Sequence, residues 1–105
     1  MLGELEQVVL LAVMRVGDEA YGVPVLHEIE RQTGRDLALA AVYKTLTRLE
    51  DKGLVSSREG EPTPVRGGRR KRYYAVSPMG RAALRESLGA LRRLTRGLAL
   101  GTELP

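Results

Sequence analysis

The stretch Val65-Arg66-Gly67-Gly68-Arg69-Arg70-Lys71-Arg72-Tyr73-Tyr74 restricts this chain more than any other. Five of its first eight residues are basic, two adjacent glycines sit among them, and a tyrosine pair follows at once. A Gly-Gly turn running into the β-prone Tyr73-Tyr74-Ala75-Val76 reads as a hairpin with a charged tip. Concentrated positive charge on a hairpin suits a phosphate backbone. The plainer alternative is a solvated surface loop, and the residues before the hairpin decide between the two.

Charge is distributed unevenly. Residues 1–38 hold seven acids and three bases, a net −4, whereas residues 39–105 hold fourteen bases and six acids, a net +8. This asymmetry predicts an anionic partner for the second part. A membrane surface is a rival anion, but it would call for a basic amphipathic helix with exposed aromatics, and none is seen. The longest apolar run, Val8 to Met14, is too short to span a bilayer. Met1-Leu2-Gly3-Glu4 lacks the basic region of a signal peptide, so a cytoplasmic location is the default expectation.

At 105 residues a single small domain is expected, with a core of Leu, Val, Ile and Ala, since the only aromatics are four tyrosines. There is no cysteine and only one histidine, His27; disulfides and thiolate metal sites are excluded, and no cofactor is expected.

Periodicity predicts a first helix over Gly3–Val16, with Leu5, Val9, Ala12 and Val13 inward and Val8, Leu10 and Leu11 widening the face, stopped by Gly17-Asp18. A second helix runs from about Tyr21 to Thr33, with Pro24 in its first turn, Val23, Val25, Leu26 and Ile29 as its inner face, and Gly34 as its stop. A third runs from about Leu39 to Lys52. A strand over Leu54–Arg58, a polar loop over Glu59–Gly68 and a return strand over Arg72–Val76 follow. Ser77 and Pro78 open a last helix reaching Leu100. The fold class is mainly α with a small β-hairpin: a winged helix-turn-helix over residues 1–77, a C-terminal dimerisation helix over 78–100, and a tail over 101–105.

On a helical wheel the third helix turns Val42, Leu46 and Leu49 inward. Ala40, Lys44, Thr47, Arg48 and Asp51 fall on the opposite side, with Ala41 and Tyr43 on the flanks. Small residues at the start and donors further along suit a helix lying in a major groove. On its own this pattern also fits an ordinary solvated face; the basic hairpin next in sequence tips the reading toward duplex DNA. Arg66, Arg69, Arg70 and Lys71 are the candidate phosphate or minor-groove contacts, and Gly67 and Gly68 let the backbone come close. Tyr73 and Tyr74 alternate across their strand, so one faces the core and one faces out; which does which is left open.

The chain resembles the PadR family of bacterial transcriptional regulators, in its short form. The matching words are Leu5-Glu6-Gln7 with the apolar run after it, Tyr21-Gly22, Ala41-Val42-Tyr43 with Leu46, Arg48-Leu49-Glu50, Lys52-Gly53-Leu54-Val55, Gly67 through Tyr74, and Pro78-Met79-Gly80. The resemblance implies a dimeric winged-helix repressor on a pseudo-palindromic operator, with Tyr43, Lys44, Arg48 and the Arg66–Lys71 stretch on DNA and Tyr21 touching phosphate. It also implies a small-molecule effector at the dimer interface, in a pocket between the first and last helices lined by Leu5, Val9, Leu88 and Leu91. Relatives often carry Ser where this chain has Ala38, and Gly where it has Ala40. The loss of the serine removes an N-cap worth roughly 1 kcal/mol.

A last helix of about 23 residues would be ~34 Å long, more than a domain of this size covers. Its stripe, Leu84, Leu88, Leu91, Leu94 and Leu98, therefore predicts a homodimer in which Leu5 and Val9 of the first helix pack alongside. The alternative is that the stripe folds back on its own core. An enzyme is disfavoured: Glu4/Glu6 and Glu28/Glu30 lie two apart on helices and point in different directions, His27 has no triad partner, and no P-loop or dinucleotide fingerprint occurs. The remaining rival is a winged-helix module that binds protein or RNA without an operator.

Overall fold

The computed structural model describes residues 2–61 and 70–101. The elements follow in the order α1 (Glu4–Val16), a 3-10 turn (Gly17–Glu19), α2 (Gly22–Thr33), α3 (Leu39–Asp51), β1 (Val55–Glu59), β2 (Arg72–Val76) and α4 (Pro78–Thr95). This is a helix-turn-helix followed by an antiparallel hairpin and a closing helix. The tip of the hairpin, with Arg66, Gly67, Gly68 and Arg69, lies outside the described residues, as does the tail beyond Gly101.

Helices α1, α2 and α3 bury one core between them: Val9, Leu10, Ala12 and Val13 from α1, Val25 and Ile29 from α2, and Val42, Leu46 and Leu49 from α3. Leu54, Val55 and Tyr74 close it from the hairpin side, and Leu84 from α4. Each buried valine, leucine and isoleucine side chain contributes on the order of 1.5–3 kcal/mol. Leu11 and Val23, expected inside, are exposed, while Leu26 is half-buried. The buried strand tyrosine is Tyr74; burial, with Glu50 nearby, pushes its hydroxyl pKa up.

Among the described residues two carboxylates are buried, and both are held by cations. Glu28 on α2 accepts from Arg15 Nε on α1 at 2.9 Å, from Gln32 Nε2 at 2.9 Å and from Arg31. Those hydrogen bonds, Arg15's first, lower its pKa to about 2. Glu6 on α1 accepts from Lys52 Nζ at 2.6 Å, just past the end of α3.

The ladder pairs Val55 with Val76 through to Glu59 with Arg72. It opens one residue later than expected because the Leu54 N–H turns back to the Leu49 carbonyl at 2.9 Å, closing α3. The Tyr74 N–H donates to the Ala20 carbonyl at 2.8 Å, which fixes the connection between α1 and α2 to the edge of β2.

Ser77 is an N-cap, as its position suggested: its hydroxyl accepts from the Gly80 N–H at 3.0 Å and donates to the Gly53 carbonyl at 2.7 Å. A side chain is forbidden at Gly80, where a methyl group would stand 2.1 Å from the Leu54 carbonyl oxygen. Helix α4 is shorter than its leucine stripe implied. It has 18 residues, about 27 Å, because Arg96 is extended and Gly97 takes φ +80°. Leu98 and Leu100 therefore lie beyond it.

Candidate nucleic-acid interface

Helix α3 is positioned by Val42, Leu46 and Leu49, all fully buried. Thr45, also buried, satisfies its hydroxyl on the Ala41 carbonyl at 2.9 Å. The opposite side is the exposed row Ala40, Tyr43, Lys44, Thr47 and Arg48. Helix α3 starts at Ala38 with no side-chain cap, consistent with the missing serine.

Tyr43 leans from this row across the start of α2, where its ring occupies the space above the α-carbon of Gly22. Beyond it opens a concavity of about 570 Å³ bordered by Tyr21, the N-cap of α2, Val23 of α2, Tyr43 of α3, and Arg70, Lys71, Arg72 and Tyr74 of the hairpin. The recognition-helix candidate, the start of α2 and the root of the basic hairpin thus share one hollow.

The walls of this hollow are tied together by rings and cations. Lys71 Nζ stands 4.4 Å from the centroid of the Tyr21 ring. Tyr21 meets Tyr73 edge-on at 5.7 Å and 80°, and the Arg58 guanidinium lies 4.6 Å from the Tyr73 centroid. Such cation–ring contacts favour a fixed direction for the charged groups. Arg72 is held by Glu59 at 3.5 Å and by the Ser57 hydroxyl at 2.9 Å. Arg70 reaches Glu59 only at 4.0 Å, with both side chains more than half exposed. An exposed pair at that distance is screened by water and leaves the Arg70 field largely intact. Arg72 was legible only as a member of the basic run and Val23 only as an inner-face residue, and the Tyr21–Tyr73 contact belongs to no local pattern.

The leucines expected at a dimer surface divide. Val9 and Leu84 are 0% and 4% exposed within this chain's own core and have no area to offer a second copy. The first turns of α4 lie against α1, a crossing that a stripe of leucines cannot reveal. Leu5 and Leu88 are half-buried. Leu91, Leu94 and Leu98 are 40%, 71% and 61% exposed. A groove of about 190 Å³ does lie between α1 and α4, but Leu11, Met14, Arg81, Leu84, Arg85 and Leu88 line it. Of the four residues expected around an effector, it shares only Leu88.

Glu4 and Glu6 point apart as read, the first to Arg35 at 2.5 Å and the second to Lys52, and His27 is exposed. Among the described residues, no helix is long and apolar enough to cross a membrane.

Comparisons with known proteins agree with this architecture. A transcriptional regulator of Mycobacterium tuberculosis is 38% identical over 79 residues, covering 75% of this chain and 69% of that protein. A solved transcriptional regulator from Clostridium thermocellum superposes with a TM-score of 0.73 at 22% identity, covering 88% of this chain and 86% of that one. A PadR family regulator from Eggerthella lenta does so with a TM-score of 0.68 at 25% identity, over 90% and 82%. These relatives are regulators rather than enzymes. The family described as transcriptional regulator PadR-like matches residues 10–86, and the chain belongs to this family of winged-helix transcriptional regulators.

Proposed function

We propose that the protein binds double-stranded DNA sequence-specifically, as a homodimeric repressor on a pseudo-palindromic operator. The observation that carries this reading is the shared hollow: Tyr43 of α3, Tyr21 at the N-cap of α2, and Arg70 and Lys71 of the hairpin border one concavity. A duplex laid along the exposed row of α3 would meet those cations without a change of side. In this reading Ala40 allows close approach, Lys44, Thr47 and Arg48 reach base edges or neighbouring phosphates, and Tyr43 lies at the groove wall. Tyr21, Arg70 and Lys71 hold the backbone, joined by Arg66, Gly67, Gly68 and Arg69 at the tip.

The dimer half of the proposal rests on Leu91, Leu94 and Leu98. Three exposed leucines on and just beyond one helix leave apolar surface whose burial against a second copy would contribute at most about 1.5–3 kcal/mol each, and less for Leu91, which has 40% of its area left to bury. Leu88 and Leu5, both half-buried, would add their remaining exposed area to it. A two-fold pair would present its α3 helices about one DNA turn apart, roughly 34 Å. The groove between α1 and α4 is the proposed seat of an effector with an apolar body.

Selection of bound fragments from a random duplex pool tests the reading. Enrichment of an inverted repeat with half-sites about one turn apart is expected. Enrichment of no duplex sequence, or binding that stays constant between low and physiological salt, would instead favour a protein- or RNA-binding module.

A further inference from the structure

The motif Leu5-Glu6-Gln7 takes no part in the concavity. Two of its residues turn back on the start of the chain instead. Glu6 Oε1 accepts from the Gly3 N–H at 3.0 Å, and Gln7 Nε2 donates to the Leu2 carbonyl at 3.1 Å. The Leu2 N–H in turn donates 2.9 Å to the hydroxyl of Ser87 on α4, a residue only 1% exposed. The second oxygen of Glu6 takes the Lys52 ammonium at 2.6 Å, at the C-terminal cap of α3.

One carboxylate therefore joins α1 to the end of α3, and the Leu2–Ser87 bond joins the start of α1 to α4. The Glu6 side chain is 9% exposed and that of Lys52 49%, so the charge pair is shielded on one side and reachable from the other. Lys52 and the Gly3 N–H hold the Glu6 carboxyl below its ordinary range, against the burial that would raise it. The opposite end of α3 has no such tether, since Ala38 offers no side-chain cap. Helix α3 is thus gripped at its C-terminal end by α1, and the start of α1 is gripped by α4.

We infer that Glu6 is a positioning residue: by holding Lys52 while Ser87 holds its own helix start, it sets the tilt of α3 relative to α4. The inference rests on the reading above, in which α3 meets DNA and α4 joins two copies; tilt within one protomer then becomes spacing between two α3 helices. Glu6 touches no ligand in this scheme. It decides which spacing of half-sites fits.

Two measurements on the full chain test it. In the first, Glu6→Gln, Lys52→Met and the double variant are titrated with the selected operator, with versions carrying half-sites one or two base pairs nearer or farther, and with random duplex. Each single variant is expected to lose about fivefold or more of its operator-over-random preference, or to prefer a different spacing, with random-duplex affinity held within about twofold. The double variant is expected to be no worse than either single one, because the two residues form one contact. Equal loss on operator and random duplex, or full preference retained at the original spacing, would overturn the inference.

The second measurement needs no DNA. The chain has no cysteine, so Asp51→Cys and Ala82→Cys, both on exposed positions of α3 and α4, accept spin labels uniquely. The distance distribution between the labels is expected to shift or broaden when Glu6→Gln or Lys52→Met is added. An unchanged distribution in folded protein overturns the inference. Should wild-type protein prefer no duplex, the DNA reading fails alone, and the label distances still decide on the clamp. Lys52→Met keeps the buried carboxylate in place and serves where Glu6→Gln does not fold.

Discussion

The ring of Tyr43 lies on the bare α-carbon of Gly22: a methyl group built there would come within 2.4 Å of Tyr43 Cζ and 2.5 Å of its hydroxyl oxygen. The start of α2 can carry no side chain while Tyr43 occupies that place. Because the clash is with the far end of a rotatable ring, Gly22→Ala is expected to fold, with a stability change within about 1 kcal/mol. The displaced ring should weaken operator binding by about tenfold or less. Thermal unfolding and a DNA titration on the same preparation check both halves.

Gly80→Ala makes the opposite case. Its methyl group would meet the Leu54 carbonyl oxygen at 2.1 Å, and backbone cannot swing aside. A loss of about 3 kcal/mol is expected, at the upper end for overpacking, seen as a drop in the unfolding midpoint of roughly 10–20 °C. DNA affinity of the fraction still folded should be close to wild type.

Arg70 and Lys71 are separated from Lys44 and Arg48 by the measurement they affect. Arg70→Ala or Lys71→Ala should lower affinity for every duplex and reduce the salt slope by about one ion each. Lys44→Ala or Arg48→Ala should cost about 1–3 kcal/mol on the selected sequence and alter the preferred bases. Anisotropy titrations over a salt series, on operator and random duplex, distinguish the two behaviours. The same uniform loss from both pairs would remove the division of labour between groove reading and backbone holding.

Leu91→Arg places a charge in the exposed leucine row of α4. It should turn a dimer into a monomer in sedimentation at micromolar concentration and weaken operator binding, with helical content preserved because Leu91 is 40% exposed in the single chain. A monomeric wild-type protein at that concentration would remove the basis of this prediction.

Glu28 predicts an acid limb in the stability curve. Its folded pKa, about 2, lies below the ordinary 4.5, so the folded state favours the charged form. That stabilisation is fully present above the ordinary value and is lost as pH falls from there toward 2. Urea unfolding at a series of pH values should show wild type weakening over this window. Glu28→Gln should be less stable than wild type near neutrality, with the gap narrowing as acid is added. A gap independent of pH would show that the carboxylate charge contributes nothing.

Much of this architecture is written in local signals. Gly34 and Ser77-Pro78 mark helix ends because the backbone there needs a left-handed residue or an N-cap followed by proline, and both are met. The α3 row is legible because Val42, Leu46 and Leu49 leave only one side for everything else. Less legible is how far a stripe belongs to one molecule. Val9 and Leu84 read like Leu91 and Leu94, yet they fill the chain's own core; periodicity gives the face of a helix and not what covers it. The leucine spacing runs on to Leu98, yet the extended Arg96 and the left-handed Gly97 end α4 before it. The Glu6–Lys52 contact spans 46 positions, and Tyr21 pairs with Tyr73 across the whole winged helix. Pairings of that range follow from the fold and leave no trace in spacing.

The corner at Ser77 has no slack. One hydroxyl ties Gly53 to Gly80, and the Leu54 carbonyl sits where any side chain on Gly80 would stand. Ser77 alone separates the end of β2 from the start of α4, so no loop lies between strand and helix. A chimera that borrows α4 from another regulator must therefore keep a hydroxyl at the place of Ser77 and a glycine at the place of Gly80, because the two carbonyls they meet belong to the main chain of residues 53 and 54.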